Sequence, residues 1–139
     1  MFAQSKIIKN KFYINKSSFK IKNSDFDIKG NIEDIKPFLK NENYTLNCEI
    51  KSKNFKLKDF INEGNNKKAK SIIPEKGNFN IKTNIHKFNF NNFFARQVEG
   101  ELSIKNKVIY GKDFKFNSCD GKVTSNFTLE SKYKRYLFT

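Results

Sequence analysis

The residues of this chain with chemically useful side chains are few, and no reaction can be assembled from their spacing. His86 is the sole histidine. It falls on a predicted strand, with no serine, cysteine or carboxylate at a spacing that would make it a catalytic base. Asp25 and Asp27 resemble an acid/base pair for glycoside chemistry, but they lie on the polar side of a turn and strand. Glu33 and Asp34 stand at a helix start, where acids complement the helix dipole. Cys48 and Cys119 have no second cysteine or histidine at ligand spacing, so no metal site is expected. Cys48 shares its phase with Tyr44, Leu46 and Ile50, as a small buried apolar residue would, and a Cys48–Cys119 bridge is left open. Gly30, Gly64, Gly77, Gly100, Gly111 and Gly121 are scattered singly, so no phosphate-cradling loop forms. The expectation is a non-enzyme with no catalytic residue, metal or cofactor.

The elements that would position any site are strands. Phe19 and Ile21 alternate with Lys20 and Lys22. Phe26, Ile28, Gly30 and Ile32 oppose Asp27, Lys29 and Asn31. Tyr44, Leu46, Cys48 and Ile50 oppose Asn47, Glu49 and Lys51. Phe79, Ile81, Thr83 and Ile85 continue the pattern, and the phase slips before Phe88, which predicts a bulge or bend. Val98, Gly100, Leu102 and Ile104 follow, then Phe114 and Phe116, then Val123, Ser125, Phe127 and Leu129. Alternation of this kind gives an antiparallel sheet with one apolar and one wet face. The predicted class is all-β: an antiparallel, hairpin-built, curled sheet, either an open groove or sandwich-like. One or two short helical turns are expected, over Glu33–Lys40 and after a capping Asp59. The polar run 63–71 reads as a mobile loop inside one continuous sheet spanning 1–139. Asp120-Gly121 is a hairpin signal, with Gly121 taking the positive φ of the turn.

Composition bears on partners. The chain has 139 residues, 16 phenylalanines and a formal charge of +14, which on its face suits nucleic acid or an anionic membrane. Only Arg96 and Arg135 are arginines, however, and phosphate recognition favours the bidentate arginine fork. Lys, Asn, Ile and Phe are also the residues an AT-rich genome over-produces. The phenylalanines share the inward phase with Ile and Leu, whereas a base-stacking platform places them on the wet, basic face. This argues against nucleic acid, and a basic β-module for single strands is kept only as the alternative. No apolar run approaches the roughly 20 residues of a membrane span. The start lacks an apolar signal core and the end stops on apolar residues, so the chain reads as a fragment.

The stretch Phe88-Asn89-Phe90-Asn91-Asn92-Phe93-Phe94, then Gln97-Val98-Glu99-Gly100-Glu101-Leu102-Ser103-Ile104, then Phe114-Lys115-Phe116-Asn117-Ser118-Cys119-Asp120-Gly121-Lys122-Val123, resembles the C-terminal repeats of AsmA-like proteins. Gly100 and Gly121 match the family's two recurring glycines, although the family usually has Gly-Gly where this chain has Asp120-Gly121. The resemblance implies a periplasmic segment of a Gram-negative protein, held at the inner membrane by an N-terminal anchor outside this sequence. It implies a part in outer-membrane assembly and phospholipid transfer. Phospholipid or another acyl lipid would then lie along a groove lined by Phe79, Ile81, Ile85, Val98, Leu102, Ile104, Phe114, Phe116, Val123, Phe127 and Leu129.

Overall fold

The computed structural model describes residues 2–59, 76–130 and 135–138. The strands are β1 (Phe2–Ile8), β2 (Lys11–Ile21), β3 (Ser24–Ile32), β4 (Thr45–Lys56), β5 (Asn78–Phe90), β6 (Phe93–Lys105), β7 (Val108–Ser118), β8 (Gly121–Glu130) and β9 (Arg135–Phe138). A one-turn helix, α1 (Ile35–Leu39), sits between β3 and β4, and a 3-10 turn, Leu57–Asp59, follows β4. All nine strands join one sheet in chain order, from β1 at one edge to β9 at the other. The chain is all-β, as its alternation predicts.

One joint departs from the antiparallel expectation. β4 and β5 run parallel, from Thr45 opposite Asn78 to Lys56 opposite Asn89. The sheet is therefore two meanders, β1–β4 and β5–β9, set side by side. Parallel neighbours cannot be closed by a tight turn, and the linking residues 60–75, with the expected loop 63–71, lie outside the described residues. The turn expected after Asp59 falls on residues 60 and 61, outside the described residues; Asp59 itself is the last residue of the 3-10 turn, and its carboxylate accepts hydrogen bonds from the Asn23 amide and the Ser24 hydroxyl, at 3.1 and 2.8 Å. α1 forms where expected, with Asp34 capping the Lys36 amide at 3.0 Å.

The hairpins are tight, and several turn on residues other than glycine. Lys9-Asn10, Asn106-Lys107 and Cys119-Asp120 each place two consecutive residues at positive φ, the geometry of a type I′ turn, which matches strand twist. Gly121 is not one of them: it is the first residue of β8, paired with Ser118. Left-handed backbone costs a residue with a Cβ about 1 kcal/mol. Asp120→Gly is accordingly expected to stabilise the fold by about 1 kcal/mol, read as a rise in the urea midpoint. A lower midpoint would show that Asp120 makes a compensating contact.

The predicted phase slip is a bend shared by three strands. Ser52, Ile85 and Val98 are paired across β4, β5 and β6, and the next paired residues are Asn54, Lys87 and Arg96. Each strand carries one residue out of alternation there, so Phe55, Phe88 and Ala95 regain the same face. The Asp25 carboxylate accepts from the Lys53 and Asn54 amides at 3.0 and 2.8 Å, which satisfies backbone donors that the bend releases in β4.

No second sheet packs on this one among the described residues; every strand touches mainly its sheet neighbours. The chain exposes 10738 Å², where a compact protein of its 16.4 kDa would expose about 7,500 Å². Its core is correspondingly thin: among the described residues Phe26, Ile32, Phe79, Ala95 and Val98 are the buried apolar side chains, with Ser24 and Ser52. The sandwich-like variant is thereby set aside in favour of an open, single-layered sheet.

Candidate functional site

Strand register gathers the eleven sequence-predicted groove residues onto one face. Phe79 lies opposite Ile104, Ile81 opposite Leu102 and Ile85 opposite Val98. Ile104 meets Ile109 on β7, which faces Leu129 on β8; Phe116 faces Val123, Phe114 faces Ser125, and Phe127 faces Gly111. Phe79 and Val98 are buried, Val123 is 37% exposed, and the other eight are half-buried. β2, β3 and β4 extend the same face through Phe12, Ile14, Ile28, Ile32, Leu46 and Ile50.

Gly100 has a physical role on this face, and Gly121 does not. A Cβ on Gly100 would lie 2.6 Å from the Phe114 ring, whereas one on Gly121 would meet only the Ser118 carbonyl at 3.6 Å. Gly111 repeats the arrangement under the Phe127 ring, and the Phe114 and Phe127 centroids are 5.0 Å apart. Two glycines thus let two phenyl rings lie flat on neighbouring strands.

Sequence reading missed the largest feature of this face. Phe19, Phe26, Phe55, Phe88, Phe93 and Phe116 form a row across β2 to β7, with successive centroids 5.1, 5.3, 5.5, 6.3 and 5.9 Å apart. Only Phe116 stood among the expected groove residues. The signal was faint because each strand contributes a single ring. A second cluster, Phe38, Tyr44 and Phe79, closes the opposite end of the face.

The polar face is ordered as well. Lys29 opposes Glu49, Glu49 opposes Lys82, Lys82 opposes Glu101 and Glu101 opposes Lys112. This alternating-charge ladder avoids like charges in direct opposition, which sheets disfavour. The Lys29–Glu49 and Lys51–Glu49 pairs are 2.8 and 3.2 Å, and Lys82–Glu101 is 3.9 Å. Beside it Asn80 donates to Asn47, and Asn47 to Glu33, at 2.8 and 2.7 Å; Glu33 also pairs with Lys11 at 3.3 Å. A hollow of about 700 Å³ lies over these rungs, between Tyr13 and Tyr110. Most of its lining belongs to two polar-face rungs, Tyr13 to Tyr110 through Asn47 and Asn80, and Lys29 to Lys112 through Glu49 and Glu101, with the apolar-face positions Ile14, Ile81 and Leu102 on the rung between them. The groups along it are largely paired with one another.

The Lys11 ammonium, with Asn31, holds the Glu33 carboxyl below the ordinary 4.5, and Lys29 and Lys51 do the same for Glu49. A lowered carboxyl contributes stability above its unfolded value, and loses it as pH falls through the folded one. The urea midpoint should therefore drop as pH is lowered from 5 through 4.5 toward 3, by a small amount because both carboxylates face water. In 1 M salt, and in Glu33→Gln/Glu49→Gln, that part of the drop should vanish. A wild-type drop identical to the double variant's would contradict the ladder's contribution.

The residues first weighed for chemistry do not converge. His86 is exposed. Cys48 and Cys119 are both free, so no bridge forms, and burial raises the Cys48 thiol. Asp25 and Asp59 are engaged as backbone and hydroxyl acceptors. No cluster of three metal-ligating side chains occurs among the described residues. No protein-family model, curated protein or solved structure matches this chain.

Proposed function

We propose that this chain is a non-enzymatic, lipid-handling sheet segment of the AsmA-like kind, and that its apolar face shields acyl chains. One observation carries the reading: a predominantly apolar face runs over β2 to β8 of a single-layered sheet, interrupted by Ser52, Thr83 and Ser125, and no described second layer covers it. An extended apolar surface of this size needs an apolar partner. The polar face, by contrast, pairs its own charges and amides, so the hollow above it makes little demand for a ligand. Phospholipid is the natural occupant for a curled sheet wet on one side. The corresponding setting is the Gram-negative periplasm, with the full-length protein anchored in the inner membrane and acting in outer-membrane biogenesis. The phenyl row lies on the face opposite the lysine-rich ladder, which disfavours base stacking on a basic platform.

The test is binding of a fluorescent fatty acid to the delipidated chain. Leu102→Asp and Phe127→Asp, which place a carboxylate on the apolar face, should weaken binding about tenfold or more. Lys82→Ala on the polar face should leave it within about twofold. Folded wild-type protein that binds no fatty acid would sink the proposal.

A further inference from the structure

One end of the sheet combines exposed aromatics with cations that have no acidic partner among the described residues. The β2–β3, β5–β6 and β7–β8 hairpins all point to this end, as does the close of β4. The β5–β6 tip carries Phe90, Phe93 and Phe94, exposed by 36%, 43% and 62%. Directly behind it Lys87 opposes Arg96, both exposed and on the polar face. Like charges in direct opposition are disfavoured in a sheet, and the same face avoids them elsewhere through the Lys29–Glu49–Lys82–Glu101–Lys112 ladder. Lys56 borders the same hollow, of about 290 Å³, with Lys87, Phe94 and Arg96. Among the described residues the nearby acids are committed or peripheral: Asp25 caps the Lys53 and Asn54 amides, Asp59 binds Ser24 and Asn23, Glu99 lies opposite Lys115, and Asp120 sits in the neighbouring turn. All four ion pairs among the described residues lie outside this tip.

We infer that this Phe-tipped, basic end docks on the surface of an anionic phospholipid bilayer. Lys87 and Arg96 stand three residues behind Phe90 and Phe93, which is roughly 10 Å of extended chain. That spacing lets the phenyl rings enter the boundary between head groups and acyl chains while the cations stay level with the phosphates. Phe90 and Phe93 belong to the apolar face and Phe94 to the polar one, so the tip is apolar on both sides. An inserting wedge has that form; a base-stacking platform gathers its rings on one face. Docking of this end is separate from acyl shielding along the sheet, and either can fail alone.

The experiment is sedimentation of the 139-residue chain with vesicles of phosphatidylcholine alone or mixed with phosphatidylglycerol. Binding to the anionic vesicles should be strong at low salt and fall steeply as salt rises. Phe94→Ser should lower partitioning roughly tenfold, and Lys87→Gln/Arg96→Gln roughly thirtyfold. Leu39→Ser, exposed by 72% at the opposite end, should change nothing. Circular dichroism identical to wild type shows that the variants fold, and unchanged fatty-acid binding by them separates docking from shielding. Equal binding to neutral vesicles, no binding to anionic ones, or an equal loss in Leu39→Ser overturns the inference. So does retention of a single-stranded oligonucleotide, sensitive to the same substitutions, without vesicle binding.

Discussion

Gly30→Ala is expected to destabilise the fold by about 3 kcal/mol or more. Gly30 sits on β3 directly opposite Cys48 on β4. A Cβ there would collide with the Asn47 carbonyl oxygen and stand 2.8 Å from the Cys48 Cα and Cβ. These contacts are mostly backbone, so no rotamer change relieves them, and the β3–β4 pairing itself must give way. That pairing sets Ile32 opposite Leu46 and brings the Phe26 ring against Phe55, and Phe26 and Ile32 are two of the five buried apolar side chains among the described residues. The cost is about 3 kcal/mol or more, against a total stability of roughly 5–15 kcal/mol for an ordinary domain and less for so thin a core. Urea titration followed by circular dichroism measures it. Gly121→Ala, with 3.6 Å of clearance, is the matched control and should shift the midpoint little. A Gly30→Ala midpoint near wild type would mean that β3 and β4 are not paired in this register.

The second large effect belongs to Ser24. Its side chain is fully buried, its hydroxyl accepts from the Lys56 amide at 2.9 Å and donates to the Asp59 carboxylate at 2.8 Å. The single hydroxyl ties the β2–β3 turn to the end of β4. Ser24→Ala leaves the part-buried Lys56 amide without this acceptor and removes one of the two donors to the Asp59 carboxylate, a loss of about 1–3 kcal/mol. Ser52 is the instructive contrast. It too is buried, but its hydroxyl has no partner, so Ser52→Ala should be neutral or stabilising. Opposite signs for the same substitution, read in one urea series, would support both hydrogen-bond assignments. Equal losses would contradict them.

Much of the fold was legible in the sequence because each strand of an open sheet writes its two faces in alternate residues. Phe79, Ile81 and Ile85 against Asn80, Lys82 and Asn84 give strand, face and bend without any neighbour. Features that depend on which strand lies alongside were hidden. The parallel joint between β4 and β5 leaves no local mark, since both strands alternate like the antiparallel ones. The phenyl row and the Lys29–Glu49–Lys82–Glu101–Lys112 ladder exist only across strands, so their members look like ordinary core and ordinary solvated charge. The turns misled for a different reason. Lys9-Asn10 and Cys119-Asp120 adopt positive φ without glycine, while the glycine beside them, Gly121, is a strand residue. The glycines that matter for close approach, Gly30, Gly100 and Gly111, are told apart from the rest only by what lies on the adjacent strand.

Photo-crosslinking from one face at a time tests the lipid reading most directly. A benzophenone side chain placed at Leu102 or Phe127, on the apolar face, should on irradiation with phospholipid give a lipid adduct detectable by mass spectrometry. The same group at Lys82 or Lys112, over the polar hollow, should give none. Adducts from the polar positions alone would move the ligand to the other side of the sheet, and the absence of adducts from every position in folded protein would contradict lipid contact altogether.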